Sequence, residues 1–151
     1  MRIAVACDHA GYPLKKIVLD TIREEGHEVL DLGTDGLDSV DYPDFVQLAG
    51  EAIQEKKVDR CVLICGSGVG ACIAANKMNG VYAATCHDTY SAHQGVEDDA
   101  MNVICLGARI IGPELAKELV RSFLMAEFSN EVRHKRRVQK VRKMEQNNLY
   151  E

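Results

Sequence analysis

Along this chain, short apolar runs alternate with longer stretches whose apolar positions recur every three or four residues. Ile3-Ala4-Val5-Ala6-Cys7 reads as a buried strand that ends at Asp8-His9-Ala10-Gly11. Pro13 can open a helix, and Leu14, Ile17, Val18 and Ile22 follow helical spacing until Gly26 stops it. His27 to Leu32 reads as a second strand and Gly33 through Asp41 as a loop. Pro43 begins a second helix carrying Phe45, Leu48, Ala49, Ala52 and Ile53. Arg60 to Ile64 is the third strand, followed by Cys65, a glycine turn and a helix from Ala71 to Met78. Val81 to Cys86 gives a fourth strand ending at His87-Asp88, and Tyr90 to Val96 a short segment with a weak helical pattern. Asn102 to Leu106 is the fifth strand, and Pro113 opens a helix through Phe123 and Leu124. A last helix from about Asn130 to Gln146 carries Val138, Val141 and Met144 on one stripe.

Strands that alternate with amphipathic helices predict an α/β fold, a parallel sheet covered on both faces. At 151 residues the chain is one domain, residues 1–151. The polar or glycine-rich ends of strands one, three, four and five should line a crevice beyond the carboxyl ends of the sheet. The final helix is too charged to be fully buried, so its apolar stripe is expected to dock on another surface, a partner subunit being the natural one. Eighteen basic against twenty-three acidic residues, a formal charge of -5, argue against a general nucleic-acid surface while leaving room for a local basic pocket. No apolar run approaches the roughly 20 residues of a membrane span, and the N-terminus runs straight into a strand without a signal peptide. The six cysteines include no CxxC pair, and Cys7, Cys61, Cys72, Cys86 and Cys105 read as buried thiols of a cytoplasmic protein. No metal site is expected.

Cys65 stands apart because Gly66-Ser67-Gly68-Val69-Gly70 begins directly after it. Three glycines in five residues allow a tight turn and let backbone N–H groups approach an anion, with the start of the next helix adding further unpaired donors. The spacing is neither the dinucleotide fingerprint nor the Walker lysine-serine pair, so NAD and ATP sites gain no support. A thiolate beside a bound phosphate or sugar phosphate can act as base or nucleophile, although such a turn can also be purely structural. Asp8 and His9 leave the first strand at the same end. Asp8 suits a sugar hydroxyl or a helix cap, and His9 suits a phosphate, a proton shuttle or an ordinary loop position. Arg133-His134-Lys135-Arg136-Arg137 is the one dense basic run. Arg133 and Arg137 share a helical face and could clamp a phosphate, or simply be solvated. His87 is a candidate supporting residue, His93 a packing one, and Glu97-Asp98-Asp99 an acidic cluster before the fifth strand.

Together these segments resemble the ribose-5-phosphate isomerase B family, which includes the galactose-6-phosphate isomerase subunits. The resemblance covers essentially the whole chain. It is carried by Asp8-His9-Ala10-Gly11, Asp41-Tyr42-Pro43-Asp44, Cys65 through Gly70, Ala74-Ala75-Asn76-Lys77 and the Arg133-His134…Arg137 ending. It implies a Rossmann-like three-layer α-β-α sandwich around a five-stranded parallel sheet. It also implies a homodimer or dimer of dimers, and isomerisation of aldose and ketose phosphates with neither metal nor organic cofactor. By this resemblance Cys65 is the enediol base, Ala71 marking the chain as outside the branch that uses a glutamate there. Ser67 handles a proton or ring opening, and the amides of Gly66, Gly68, Val69 and Gly70 hold enediolate charge. Asp8 and Tyr42 contact the sugar, and His9, Arg109, Arg133 and Arg137 the phosphate, some from a partner. Where the family carries a His-Asn pair, this chain has Asp98-Asp99. Asp98 is then expected to open the sugar ring and Asp99 to contact substrate. The expected reaction is ribose 5-phosphate to ribulose 5-phosphate. The alternatives are another pentose or hexose phosphate, such as allose or galactose 6-phosphate, or a binding subunit with impaired catalysis.

Overall fold

The apolar runs pair side by side into one parallel sheet. The computed structural model describes residues 1–147. Its strands are β1 (Arg2–Cys7), β2 (Glu28–Asp31), β3 (Arg60–Cys65), β4 (Ala83–Thr85) and β5 (Val103–Gly107), in the order β2-β1-β3-β5-β4. Every pairing is parallel. Helices α1 (Tyr12–Glu24), α2 (Tyr42–Gln54), α3 (Val69–Ala75), α4 (Thr89–Asp99), α5 (Pro113–Met125) and α6 (Val132–Asn147) complete it. This is the expected three-layer α/β fold.

The period-two alternation of the strands divides the core. Ile3, Val5, Val62, Ile64, Ile104 and Leu106 face α1, α4 and α5, where Phe123 and Ile22 fill the layer. Ala4, Ala6, Cys61, Leu63, Cys65, Val103 and Cys105 face α2 and α3. One face therefore carries mostly bulky branched side chains and the other mostly small residues and thiols. A short helix of small residues, Val-Gly-Ala-Cys-Ile-Ala-Ala, can lie close on the second face.

After β1 the chain moves outward to β2 and then returns to the other side of β1 as β3. The topological switch thus lies between β1 and β3, where a doubly wound sheet opens its crevice. Asp8 leaves β1 there, and Cys65 ends β3 beside it.

Three elements differ from the sequence reading. β4 is shorter than Val81 to Cys86, and Asn76 carries the segment instead: its Nδ2 donates to Ala83 O (2.8 Å) and its Oδ1 accepts from Ala83 N–H (2.9 Å). α4 runs on past Val96 to Asp99, started by Asp88, whose Oδ1 accepts the Ser91 N–H (2.7 Å). Asp98 and Asp99, read from the sequence only as part of an acidic cluster before the fifth strand, therefore form the last helical turn. α6 packs on its own chain: His134 and Val138 are buried, and Glu145 accepts from Gly80 N–H (2.7 Å) and the Tyr82 hydroxyl (3.2 Å). Of its stripe only Val141 and Met144 stay exposed. Among the described residues no helix is long and apolar enough to cross a membrane.

The turn after β1 presses directly on β3. A Cβ built on Gly11 would lie 2.0 Å from the Ile64 carbonyl oxygen, and β3 is paired on both sides and cannot retreat. Gly11→Ala is expected to destabilise the protein by about 2–4 kcal/mol, the range of severe backbone conflicts. Urea unfolding checks this as a midpoint lowered by about 1–2 M, given a usual slope for a chain of this size.

Candidate active site

Three consecutive carbonyls at the end of β3 are held by neighbouring strands. Asp8 N–H donates to Ile64 O (3.3 Å), Ala108 N–H to Cys65 O (2.8 Å) and Arg109 N–H to Gly66 O (3.0 Å). These bonds bring the exits of β1, β3 and β5 to one place. A cleft of about 380 Å³ opens there, lined among others by Asp8, His9, Tyr42, Cys65, Ser67 and Arg109. Its volume suits a small polar metabolite.

Cys65 lies buried at the floor, and its Sγ accepts the Gly68 N–H at 3.1 Å. Gly68 reaches that geometry with φ of +82°, a left-handed conformation costly for any side chain. Ser67 is exposed at the rim, and its Oγ accepts from Val69 N–H at 3.3 Å. Two of the turn amides, those of Gly68 and Val69, thus already serve Cys65 and Ser67. The Thr85 hydroxyl donates to Gly68 O (3.1 Å), and the Gly107 N–H donates to His87 Nε2 (2.9 Å), so β4 and its exit brace the turn.

Asp8 is buried, and its Oδ1 accepts the Gly11 N–H (2.9 Å), which gives it a turn-holding role in addition to facing the cleft. His9 accepts the Val40 N–H at Nδ1 (3.2 Å), leaving Nε2 as the protonated nitrogen of the neutral ring. The Tyr42 ring lies on Gly70, where a Cβ would sit 2.8 Å from its Cζ. Gly66 and Gly70 line the cleft with these side chains, as Ala10 and Ile110 also do.

The remaining predicted residues lie outside this cleft within one chain. Gly68 sits behind the turn, and the Val69 side chain is exposed on α3. Asp98 faces α6: its Oδ1 is 3.3 Å from His134 Nδ1, and its Oδ2 accepts from Gln94 Nε2 (2.8 Å). His134 Nδ1 is also 2.6 Å from Ser129 Oγ, and its Nε2 accepts from Arg133 Nε (3.1 Å). Arg133 also pairs with Glu131 at 3.0 Å. Asp99 lines a separate groove with Tyr82, Met101, Val138 and Val141, and Arg137 is exposed on α6.

Four of the other thiols are buried as expected. Burial pushes Cys61 up to about 12 and Cys7 and Cys86 to about 11, and Cys105 is raised well above the ordinary value by its bond to Cys72 and by burial. Cys72 departs from the expectation, being half-buried and lowered to about 6 by the Cys105 thiol, against the effect of burial. Among the described residues no three His, Cys, Asp or Glu side chains are gathered as metal ligands. Sequence reasoning did not find the bracing contact of Thr85 or the tie made by Asn76. Their only signal was position at the exit of the fourth strand and in the Ala-Ala-Asn-Lys segment.

Comparison with known proteins bears on the family and the fold. The ribose/galactose isomerase family matches residues 3–141. The D-erythrulose-4-phosphate isomerase of Pectobacterium atrosepticum is 44% identical over 129 residues, 85% of each chain. The ribose-5-phosphate isomerase B of Escherichia coli is 39% identical over 145 residues, 96% of this chain and 97% of that one. The structure of Clostridium thermocellum ribose-5-phosphate isomerase B superposes with a TM-score of 0.94 at 42% identity, covering 98% and 99% of the two chains. With sequence and fold both matched from the first strand into the last helix, the chain belongs to the ribose/galactose isomerase family and is an isomerase acting on a sugar phosphate.

Proposed function

We propose that the chain interconverts an aldose phosphate and its ketose through a cis-enediol, with Cys65 as the base. The observation that carries this reading is the Cys65 Sγ at the cleft floor, held by the Gly68 N–H and overlooked by Ser67, His9 and Arg109. In the aldose direction the thiolate removes the proton from C2, and the electron pair forms the C1–C2 double bond as O1 takes up a proton. Return of the carbon proton to C1 and loss of the O2 proton give the ketose. Every atom moved is a proton of the substrate, so the step needs no cofactor. Donors around the cleft would hold the negative oxygen, and Ser67 would carry the oxygen-bound proton. Asp8 and Tyr42 would hold sugar hydroxyls, and Arg109 and His9 the phosphate. The six free cysteines favour a reducing, cytoplasmic setting.

Cys65→Ala is expected to lower kcat at least about a hundredfold, the scale of a lost general base, with unchanged circular dichroism. Turnover within tenfold of wild type would remove Cys65 from the mechanism, and so would activity that depends on an added divalent metal.

Ribose 5-phosphate is the first substrate to test, with ribulose 5-phosphate as its product. One observation favours a second reading. Asp98, the residue expected to open a furanose ring, accepts a hydrogen bond from Gln94 and lies 3.3 Å from His134 Nδ1. A tetrose 4-phosphate has no free hydroxyl able to close a five-membered ring, so it needs no ring opening, and a relative of this chain is an erythrulose-4-phosphate isomerase. On this second reading, kcat/KM for D-erythrulose 4-phosphate should exceed that for ribose 5-phosphate by at least about tenfold, the scale set by one lost proton-transfer group. Equal values, or a ribose preference abolished by Asp98→Asn, would return Asp98 to the ring-opening role.

The active unit is proposed to be a homodimer or a dimer of dimers. Val69 and Ile73 on α3 and Val141 and Met144 on α6 are exposed apolar residues, and Arg133 and Arg137 lie outside the cleft of their own chain. Pairing of chains would cover the former and could bring the two arginines, with Asp99, to a neighbouring cleft. Sedimentation equilibrium should give at least a dimer, and Arg137→Ala should raise KM for every phosphorylated substrate alike. A fully active monomer would contradict this assembly.

A further inference from the structure

The loop between β2 and α2, residues 32–41, is long for a connection in such a fold, yet it is pinned at both ends. At its start Leu32 N–H donates to Val5 O (2.8 Å) and Thr34 N–H to Cys7 O (3.0 Å). Gly33 lies so close to β1 that a Cβ would be 2.7 Å from Cys7 Sγ. The main fastener is Lys15 on α1, only 7% exposed. Its Nζ donates to Thr34 O (2.9 Å) and lies 3.0 Å from Asp31 Oδ2 and 3.1 Å from Asp35 Oδ1. An ammonium has three donors, and here they meet two groups of the loop, Thr34 and Asp35, and the carboxylate of Asp31 at the end of β2 just before it. The ammonium also lies 5.6 Å from the centre of the Tyr12 ring. Burial alone would lower the pKa of Lys15, but Asp31 and Asp35 outweigh it and raise it above the ordinary lysine value.

Five residues beyond Asp35, the loop delivers the Val40 N–H to His9 Nδ1 at 3.2 Å. This bond turns the opposite nitrogen, the protonated Nε2, into the donor available to the cleft. The geometry points to Lys15 as a positioning residue: by clamping the start of the β2–α2 loop it holds the Val40 amide on His9 and so fixes His9 as an Nε2–H donor toward substrate oxygen. Lys15 itself is not among the residues that line the cleft. What His9 meets there rests on the isomerase reading, whereas the clamp does not.

The test compares 15N-labelled wild type with Lys15→Met, which keeps the length of the buried stem and removes the charge. Exchange of the Val40 amide should become at least about tenfold faster, and its coupling across the hydrogen bond to His9 Nδ1 should vanish, while Leu63 and Ile104 keep their protection. With ribose 5-phosphate or D-erythrulose 4-phosphate, KM should rise at least about fivefold with kcat within about threefold, the pattern of lost binding rather than lost chemistry. If wild type turns over no sugar phosphate, the isomerase reading fails and the amide measurements still decide the clamp. Should Lys15→Met not fold, Asp35→Asn alters the exposed end of the same clamp and should speed Val40 exchange about threefold. An unchanged Val40 amide and coupling in a folded variant would overturn the proposal.

Discussion

The site depends on the three carbonyls at the end of β3, those of Ile64, Cys65 and Gly66. Each is claimed by a backbone N–H from a neighbouring strand exit, Asp8 on one side and Ala108 and Arg109 on the other. Buried backbone groups must be paired, so where a strand runs out of ladder partners its last carbonyls fix the loops around it. That requirement places Asp8, His9 and Arg109 around Cys65 before any side chain is considered. The close approach of Gly11 to Ile64 is the steric counterpart of the same constraint. The cleft at the topological switch is thus a consequence of how the sheet terminates.

The unequal faces of the sheet decide what can stand at the cleft floor. Cys65 shares the small-residue face with Ala4, Ala6, Cys61 and Cys105, and α3 lies over it with Ala71 and Ala75 buried. A bulkier face would push α3 outward and carry the Gly68 N–H away from sulfur. The bond from Gly68 to Sγ is therefore supported by packing several residues away. The same small face collects thiols; burial keeps Cys61, and the bond to Cys72 together with burial keeps Cys105, well above the range in which a thiolate forms at neutral pH. Proximity of cysteines here reflects side-chain volume and does not require redox chemistry.

Much of the fold was legible because its signals are local. The strand Ile3 to Cys7, the turn Gly66 to Gly70 and the helix starts at Pro13, Pro43 and Pro113 are each written in adjacent residues. The strand order was not, since nothing in a parallel strand names its neighbour. The weak pattern over Tyr90 to Val96 concealed a full helix to Asp99, because its buried residues Ala92 and Val96 are few and the last turn is acidic. The cleft was half legible: Asp8, His9, Tyr42, Cys65, Ser67 and Arg109 converge as their motifs suggested. Lys15 was invisible as a single lysine in an amphipathic helix, since its meaning depends on a loop some twenty residues away. Asp98, to which the family resemblance gave ring opening, stands outside the cleft of its own chain, its Oδ1 3.3 Å from His134 Nδ1 on α6, a placement no local pattern announced.

Charge placement sets the terms on which an anionic substrate is recognised. The chain carries a formal charge of -5, yet at physiological salt fields fade over about 8 Å, so a phosphate in the cleft responds mainly to its nearest groups. The groups that would serve on the proposed reading are the exposed Arg109 and the His9 ring, which line the cleft, with Asp8 buried and already accepting from Gly11. Arg133 is paired with Glu131 where it stands and donates to the His134 ring. A protein of this charge gains little from long-range attraction of its substrate. Affinity must come from short, directional contacts, in which a planar guanidinium fork and a fixed imidazole N–H outperform a diffuse positive field. The order imposed on His9 by its loop is of the same kind: a donor that is already aimed need not be ordered again when the substrate arrives.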